Sequence, residues 1–272
     1  RRAIRARASA EAAAIDRLQR LLDSGARGIA ITAQVWSMEF LVRCHLGDRA
    51  SDDHWRVIGQ YHSSFEAAAR GRDLDRALAV YRDVDALLAL TEQDAAQFTA
   101  AGFANASWIE NPLDDAAYAA EGSAARGRTI AYLGRFSGEK APLILIRAWA
   151  LAHQRAPEVM RGWTLELTGS GPQERMVRDA AAARADIRVS GPTTEPALVL
   201  GRAGMVVLPS LDEGFPLVLA EAMATGAACI ASDCSAGVRA LIDDGCTGLL
   251  AERGNPASLA EQMIRLADDA NM

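Results

Sequence analysis

The sequence has 272 residues, of which 50% are hydrophobic and 24% charged, with a net charge of −6. This composition predicts a soluble globular protein long enough for two domains, and the negative charge argues against a general nucleic-acid binder. No apolar run approaches the about 18 residues of a membrane-spanning helix, and the N-terminus does not match a signal peptide. The four cysteines form no C-x-x-C pair, so we expect free thiols in a cytoplasmic protein.

Residues 1–111 predict a partial α/β domain. The Ala- and Arg-rich residues 1–24 predict a helix whose arginines face solvent or, alternatively, an anionic lipid surface. Further helices are expected at 36–46 and from Thr91, the predicted N-cap, to about residue 102. Strands are expected at 28–32, 56–60, 83–90 and 108–110.

Two D-x-D sequences in this half imitate a metal-binding motif. Asp73 and Asp75 lie in a stretch of alternating charge that predicts an exposed helix. Asp83 and Asp85 flank the start of a strand, and we expect both acids to face solvent. We therefore assign no metal site to either sequence.

The second half alternates regularly between strand and helix patterns. Residues 112–128 are small and polar and predict a linker, which leaves 129–272 as a second domain. Its strands are expected at 129–133, 164–167, 187–189, 205–208, 228–231 and 248–250. Such alternation predicts a doubly wound parallel sheet that binds ligands beyond the carboxyl ends of its strands.

The most informative stretch runs from Pro209 to Gly226 and reads PSLDEGFPLVLAEAMATG. A strand precedes it, and a helix is expected to start at Pro216, where free backbone amides favour an anion. Two acids, Glu213 and Glu221, stand eight positions apart. Taken singly, either acid is most simply a solvent-facing residue.

Three further loops follow predicted strands. In the first, Arg135 and Lys140 are spaced so that both cations can reach one diphosphate, although a solvated loop explains them equally well. The second reads TGSGP, and its glycines, Gly169 and Gly171, allow close approach of the backbone to a ligand without meeting the dinucleotide fingerprint. The third is the turn at 190–193.

Together these motifs resemble the retaining glycosyltransferases of the GT-B fold, in the large family 4 (group 1) type. The resemblance rests on the E-x7-E pair, the G-R-x-x-x-x-K loop and the G-x-G-P loop, in the same order and strand context, and extends from about residue 56 to the end. It implies an α/β fold of two Rossmann-like domains. The first, residues 1–111, would be an incomplete acceptor-side domain, and the second, residues 129–272, would be a complete doubly wound parallel sheet that binds the nucleotide-sugar donor. The glycine loop that opens the family's first domain and the helix that returns to it are not recognisable, so we expect a chain truncated at both ends.

The resemblance also implies roles for individual residues. Glu221 would bind the ribose hydroxyls and Glu213 the hydroxyls of the donor sugar, while Arg135 and Lys140 would neutralise the leaving diphosphate. His62 stands where the family often has a histidine facing the donor sugar, although an isolated histidine is more often structural. The implied catalytic residues are His62, Arg135, Lys140 and Glu213. The implied donor-binding residues are Gly134, Gly169, Gly171, Pro192, Thr193, Gly214, Phe215, Pro216, Leu217 and Glu221. Many family members have glycine in place of Pro216, so one backbone amide is absent here.

The implied activity is transfer of a sugar, with retained anomeric configuration, from a nucleotide-diphosphate sugar to an acceptor hydroxyl. The acceptor would be a saccharide, lipid or wall polymer in cell-envelope polysaccharide or glycolipid synthesis, with peripheral contact at the inner face of the membrane as a further expectation. The family contacts the nucleotide base through backbone groups, so the residue types do not determine which base is bound. We expect a UDP-sugar as the donor. We expect no metal or other cofactor and no nucleic-acid partner. The alternative is a nucleotide-sugar-binding module or fragment without catalysis of its own.

Overall fold

The protein is described by a computed structural model that covers residues 12–21, 23–24, 27–43, 55–71, 73–114, 118 and 126–269. The chain divides into two units, Arg1–Glu110 and Asn111–Met272. Each unit is built around its own parallel sheet, of four and six strands respectively, which confirms the α/β class. Most of the predicted linker lies outside the described residues. Within the described part of the chain, every helix is too short or too polar to cross a membrane.

The sheet of the first unit has the order β1-β2-β3-β4 with all strands parallel. Its strands are β1 (Gly28–Thr32), β2 (Trp55–Gln60), β3 (Ala86–Ala89) and β4 (Ala106–Trp108). Its helices are α1 (12–21), α2 (Val35–Arg43), α3 (Phe65–Arg70), α4 (Asp73–Tyr81) and α5 (Glu92–Ala100). The strand β4 begins two residues before the expected position because it pairs with β3 in the register Leu87↔Ala106.

The core of the first unit is centred on Phe98, which is fully buried. Its ring makes edge contacts with Tyr61, Phe65 and Phe103 at centroid distances of 5.2, 5.1 and 5.5 Å. The predicted N-cap of α5 is confirmed, because the Thr91 hydroxyl accepts a hydrogen bond from the amide of the third helical residue.

The second D-x-D sequence has a structural role that the sequence did not predict. The Asp85 carboxylate accepts hydrogen bonds from the Val57 amide and the Arg56 guanidinium, both at 2.7 Å. Although burial alone would raise it, these two bonds hold the pKa of Asp85 below its usual range. The expectation that Asp85 simply faces solvent is therefore wrong, because this side chain secures the start of β3 against β2.

The sheet of the second unit has the order β10-β9-β8-β5-β6-β7, again with all strands parallel. Its strands are β5 (Gly127–Leu133), β6 (Thr164–Thr168), β7 (Ile187–Ser190), β8 (Ala203–Leu208), β9 (Ala228–Asp233) and β10 (Leu249–Glu252). Its helices are α6 (Pro142–Arg155), α7 (Glu174–Ala182), α8 (Pro196–Arg202), α9 (Leu217–Ala224), α10 (Ala236–Leu241) and α11 (Pro256–Asp268). This is the predicted doubly wound sheet, and its strand order reverses between β5 and β8, where such sheets bind ligands.

Apolar clusters cover both faces of this sheet. One is centred on Trp149, Leu165 and Leu167, and the other on Val206 and Leu219. The helix α9 starts one residue later than expected, because Pro216 is its N-cap rather than its first helical residue. Before α7, the backbone amide of Gln173 donates to the Phe136 carbonyl at 2.9 Å.

Candidate functional site

Two adjacent cavities lie at the switch point of the second sheet. The first has a volume of about 460 Å³ and is lined by Arg135 and by the loops that follow β6 and β7. The second, of about 270 Å³, is lined by Lys140, Glu213 and the start of α9. Leu133 and Gly134, at the end of β5, line both cavities. The predicted site residues that line the first cavity are Gly134, Arg135, Gly169, Gly171, Pro192 and Thr193, and those that line the second are Gly134, Lys140, Glu213, Phe215, Pro216 and Leu217.

A partly buried ion pair joins two of the predicted catalytic residues. The Lys140 ammonium donates to both oxygens of the Glu213 carboxylate, at 2.7 and 2.8 Å, across 73 residues of sequence. The Ser210 hydroxyl donates to Oε1 of the same carboxylate at 2.7 Å. A carboxylate has about four acceptor positions, so these three bonds leave one, on Oε2. Lys140 is the only lysine of the sequence.

The loop that carries both cations is held by hydrogen bonds along its length. The Tyr132 hydroxyl donates to the Arg135 carbonyl at 2.7 Å, and the Leu211 amide donates to the Glu139 carbonyl at the same distance. Burial raises the pKa of Tyr132 above its usual range, and the nearby acids strengthen the effect, so the phenol stays a neutral donor. The Arg135 side chain itself is exposed at the first cavity.

The two glycines of the second loop are required by packing within the protein. A Cβ atom on Gly169 would lie 1.9 Å from the carbonyl oxygen of Gly134, and one on Gly171 would lie 2.5 Å from that of Phe136. Both glycines also have positive φ angles that side chains disfavour, +153° and +157°. The two glycines were expected to let the backbone approach a ligand closely. In the structure they let it approach the loop that follows β5, and this contact holds the ends of β5 and β6 together at the first cavity.

The loop before α9 is also held by a close glycine contact. A Cβ atom on Gly237, at the start of α10, would lie 1.8 Å from the carbonyl oxygen of Gly214. The side-chain amide of Asn111 also donates, through Nδ2, to the Phe215 carbonyl at 3.5 Å. These contacts fix the backbone on either side of Phe215 and set the direction in which α9 starts.

Glu221 lies on α9 one turn beyond Leu217 and therefore shares the helix face that borders the second cavity. Its carboxylate accepts a hydrogen bond from Tyr118. Burial, followed by the hydrogen bond to Glu221 and the charge of that carboxylate, raises the pKa of Tyr118 to about 12. The phenol thus remains protonated and holds the Glu221 side chain.

The sequence analysis missed three residues of the site, Ser210, Tyr118 and Gly237. The spacing of Ser210, three residues before Glu213, is a local signal that could have indicated the hydrogen bond. Tyr118 stands in an Ala-rich segment and gives no such signal. Gly237 gives no local signal either, because the backbone that it approaches, at Gly214, belongs to a different loop.

The remaining predicted site residue, His62, lies in the first unit. It is exposed just after β2 and lines a separate cavity of about 230 Å³ together with Trp36 and Asp73. Its contact with a donor sugar stays a prediction. Among the residues that the structure describes, no group of His, Cys, Asp and Glu is arranged to hold a metal ion.

Comparison with known proteins identifies the family. A family model described as "Glycosyl transferases group 1" matches residues 127–269, more than half of the chain. An exopolysaccharide phosphotransferase of Streptomyces coelicolor is 33% identical over 202 residues, which cover 68% of this chain and 20% of that protein. A D-inositol 3-phosphate glycosyltransferase of Salinispora tropica is 34% identical over 156 residues, covering 53% of this chain and 32% of the relative.

A solved structure extends the likeness to both units. The crystal structure of HepE of Anabaena in complex with UDP and glucose matches this chain with a TM-score of 0.77 and 16% identity. The match covers 96% of this chain and 72% of the HepE chain. This likeness shows the fold and agrees with the GT-B class expected from the sequence. The chain spans only about a fifth to a third of the two sequence relatives, and the family assignment rests on its second unit. The chain belongs to the group 1 glycosyltransferases.

Proposed function

We propose that this chain binds a nucleotide-diphosphate sugar in its second unit and transfers the sugar, with retention, to an acceptor hydroxyl. The observation that carries the proposal is the meeting of Lys140, Glu213 and the start of α9 in one cavity, with Arg135 at the adjoining one. A cation, a buried carboxylate and free helix amides within one cavity suit a ligand that joins a diphosphate to a polyol.

In this proposal the donor lies across both cavities. The base occupies the first cavity, beside Thr193, and the ribose hydroxyls bind to Glu221, which Tyr118 orients. The diphosphate lies between Arg135 and Lys140, and a hydroxyl of the sugar donates a hydrogen bond to the remaining acceptor position of Glu213. The volumes of about 460 and 270 Å³ suit a nucleoside and a single sugar ring respectively.

The proposed reaction exchanges one bond at the anomeric carbon. The bond from this carbon to the diphosphate oxygen breaks with its electron pair on the diphosphate, and the acceptor oxygen bonds to the carbon on the same face. The acceptor proton passes to the departing diphosphate. Negative charge grows on the diphosphate in the transition state, and Arg135 and Lys140 stabilise this charge. Removal of one such preorganised group typically lowers the rate by about 10²–10³.

The finer identity of the substrates is proposed by analogy. HepE, which shares the fold, binds UDP and glucose, and this supports a UDP-sugar as donor. The name of the Streptomyces relative refers to exopolysaccharide, and this supports a role in cell-envelope polysaccharide or glycolipid synthesis. Retention follows from the resemblance of the E-x7-E pair to that of retaining enzymes.

The test is calorimetric titration of the chain with UDP, GDP and ADP, beside Lys140→Ala, Glu221→Ala and the control Arg161→Ala. Arg161 forms an ion pair that is about three-quarters exposed and lines neither of the two cavities, so its loss should leave binding unchanged. We expect UDP to bind most tightly and both site substitutions to weaken it. Since Lys140 is the only lysine, reductive ¹³C-methylation also gives a single side-chain signal that UDP should shift.

Two other outcomes would change the assignment. A folded chain that binds none of the three nucleotides contradicts the proposed donor site. A chain that binds UDP but releases no UDP from UDP-glucose in the presence of any saccharide acceptor is instead a nucleotide-sugar-binding module.

A further inference from the structure

A third cavity of the second unit, the amino-end cavity, lies at the edge of the sheet opposite the candidate site. It has a volume of about 370 Å³. Its lining includes Gly127, Gly204 and Ala228, at the amino ends of β5, β8 and β9, and Trp163 just before β6. The two cavities of the candidate site lie beyond the carboxyl ends of the same sheet. A ligand in the amino-end cavity would therefore leave the donor site open.

The charged groups of the amino-end cavity all have the same sign. Among the described residues that line it, Arg126 and Arg128 are positively charged and none is acidic. Neither guanidinium is paired with a carboxylate of the described residues, since the side-chain bonds of both go to backbone carbonyls. A concave surface lined by charges of one sign attracts a counter-ion. Here that counter-ion is an anion, although the chain as a whole has a net charge of −6.

Arg126 is held at the cavity by two helix ends. It donates through Nη1 to the carbonyls of Gly201 and Ala203, at 3.4 and 2.9 Å, where α8 ends. It also donates through Nη2 to the Thr225 carbonyl, where α9 ends. These bonds use three of the five N–H groups of the guanidinium, so two remain for a ligand.

Arg128 provides the second cation of the cavity. Its Nη1 donates to the Arg161 carbonyl at 3.0 Å, which leaves four of its five N–H groups. The planar fork of an arginine matches two phosphate oxygens with parallel hydrogen bonds. A phosphate monoester carries a charge of about −1.5 to −2 at pH 7, whereas a carboxylate carries a single charge. Two guanidinium groups in one cavity therefore match a phosphate better than a carboxylate.

The remainder of the lining is small and apolar. Gly226 and Ala227 contribute no polar side chain, and Trp163, which is 6% exposed, closes one side. The volume of about 370 Å³ is within the about 300–1,000 Å³ of small-molecule sites. Because this leaves room beyond a phosphate group, the ligand that fits is a phosphate ester with a compact uncharged remainder.

We propose that the amino-end cavity binds the phosphate group of a phosphate monoester, with Arg126 and Arg128 as its anion-binding residues. The same group is carried by small soluble metabolites and by the headgroup of an anionic lipid, and the experiment separates these two sources. The site is independent of the proposed glycosyl transfer, since it shares no lining residue with the donor site.

The test is calorimetric titration of the full chain with sn-glycerol 3-phosphate at constant ionic strength, with and without UDP. The diphosphate position of the proposed donor site competes for this probe, so Lys140→Ala is titrated as well. Arg128→Gln removes the charge, and Arg128→Lys keeps the charge without the fork. Arg126 is left unchanged, because its loss would free the carbonyls at two helix ends. The matched control, Arg175→Ala, removes a 94% exposed arginine of the same unit that lines none of these cavities.

A second measurement separates the two sources of the phosphate group. Cosedimentation with vesicles of phosphatidylcholine, alone and with added phosphatidic acid, is measured for the same variants. Arg128-dependent binding of the soluble ester assigns the site to a metabolite. Arg128-dependent binding of phosphatidic acid vesicles, without binding of the ester, assigns it to a lipid headgroup. Either result supports the proposal.

We expect Arg128→Gln to weaken binding about fivefold or more and Arg128→Lys to weaken it less, because the charge is kept. Arg175→Ala, Lys140→Ala and added UDP should leave it unchanged. The proposal is overturned if neither phosphate source binds, if Arg128→Gln binds as tightly as the wild type, if Arg175→Ala weakens binding equally, or if the binding is lost in Lys140→Ala instead. A chain that binds no UDP but keeps Arg128-dependent binding contradicts the proposed donor site and supports the amino-end site.

Discussion

Replacing Lys140 by methionine tests whether one ion pair both stabilises the second unit and binds the donor. The change keeps an unbranched side chain that is one atom shorter, and it removes the cation. The Glu213 side chain is 6% exposed and that of Lys140 is 33% exposed, so the pair lies between a surface pair and a fully buried one. Exposed pairs contribute about 0–1 kcal/mol and breaking a buried pair costs about 3–5 kcal/mol, so we expect a loss of about 2–3 kcal/mol.

The assay is urea unfolding followed by circular dichroism for the wild type, Lys140→Met, Glu213→Gln and the double variant. Among the described residues, Lys140→Met leaves the buried Glu213 carboxylate with the Ser210 hydroxyl as its side-chain partner, whereas the double variant has no uncompensated charge. We therefore expect the double variant to regain most of the stability lost in the single one. Arg161→Met, which breaks an exposed pair of the same unit, should cost less than about 1 kcal/mol.

UDP affinity separates the two roles of the pair. Loss of one charge-assisted contact is worth about 1.5–3 kcal/mol, or about 10- to 150-fold in the dissociation constant. This loss should persist in the double variant, because the phosphates still lack the ammonium. The reasoning is refuted if Lys140→Met is as stable as the wild type, or if the double variant binds UDP as tightly as the wild type.

Three further changes test other parts of the second unit. Gly169→Ala should destabilise the chain by about 1–3 kcal/mol in urea, because its Cβ would lie 1.9 Å from the Gly134 carbonyl oxygen. Tyr118→Phe should weaken UDP binding about three- to tenfold by calorimetry, because Glu221 loses a hydrogen bond that orients it. Burial and a neighbouring arginine lower the pKa of His153 from 6.5, so the free energy of unfolding should decrease as the pH falls below 6.5.

Each of these predictions has a control. Gly138→Ala lies in open surroundings, with its nearest neighbour at 3.9 Å, and should change stability by less than about 0.5 kcal/mol. An unchanged UDP affinity in Tyr118→Phe would show that Glu221 needs no orienting partner. His153→Gln should flatten the pH dependence between about pH 8 and 5, since the lowered pKa of Asp186 acts only below 3.8; equal slopes in both proteins would contradict the burial argument.

The sequence by itself determined most of the fold of the second unit. Alternating strand and helix patterns are local, and each is set by the spacing of apolar residues within one element, so all six strands of this unit were predicted from neighbouring residues. The predicted cap at Thr91 was confirmed for the same reason, because the cap and the amide that it accepts are three residues apart. The loops of the site were likewise located by short motifs next to these strands.

Only the tertiary structure decided which groups meet. Lys140 and Glu213 are 73 residues apart, and the order of the strands, not any local pattern, brings β5 and β8 together. The same holds for Asp85, whose partners lie on a neighbouring strand, and for Gly169, whose missing side chain is required by the backbone of another loop. Such contacts depend on pairing between distant segments, which leaves no periodicity in the sequence, and they are the contacts that shape the candidate site.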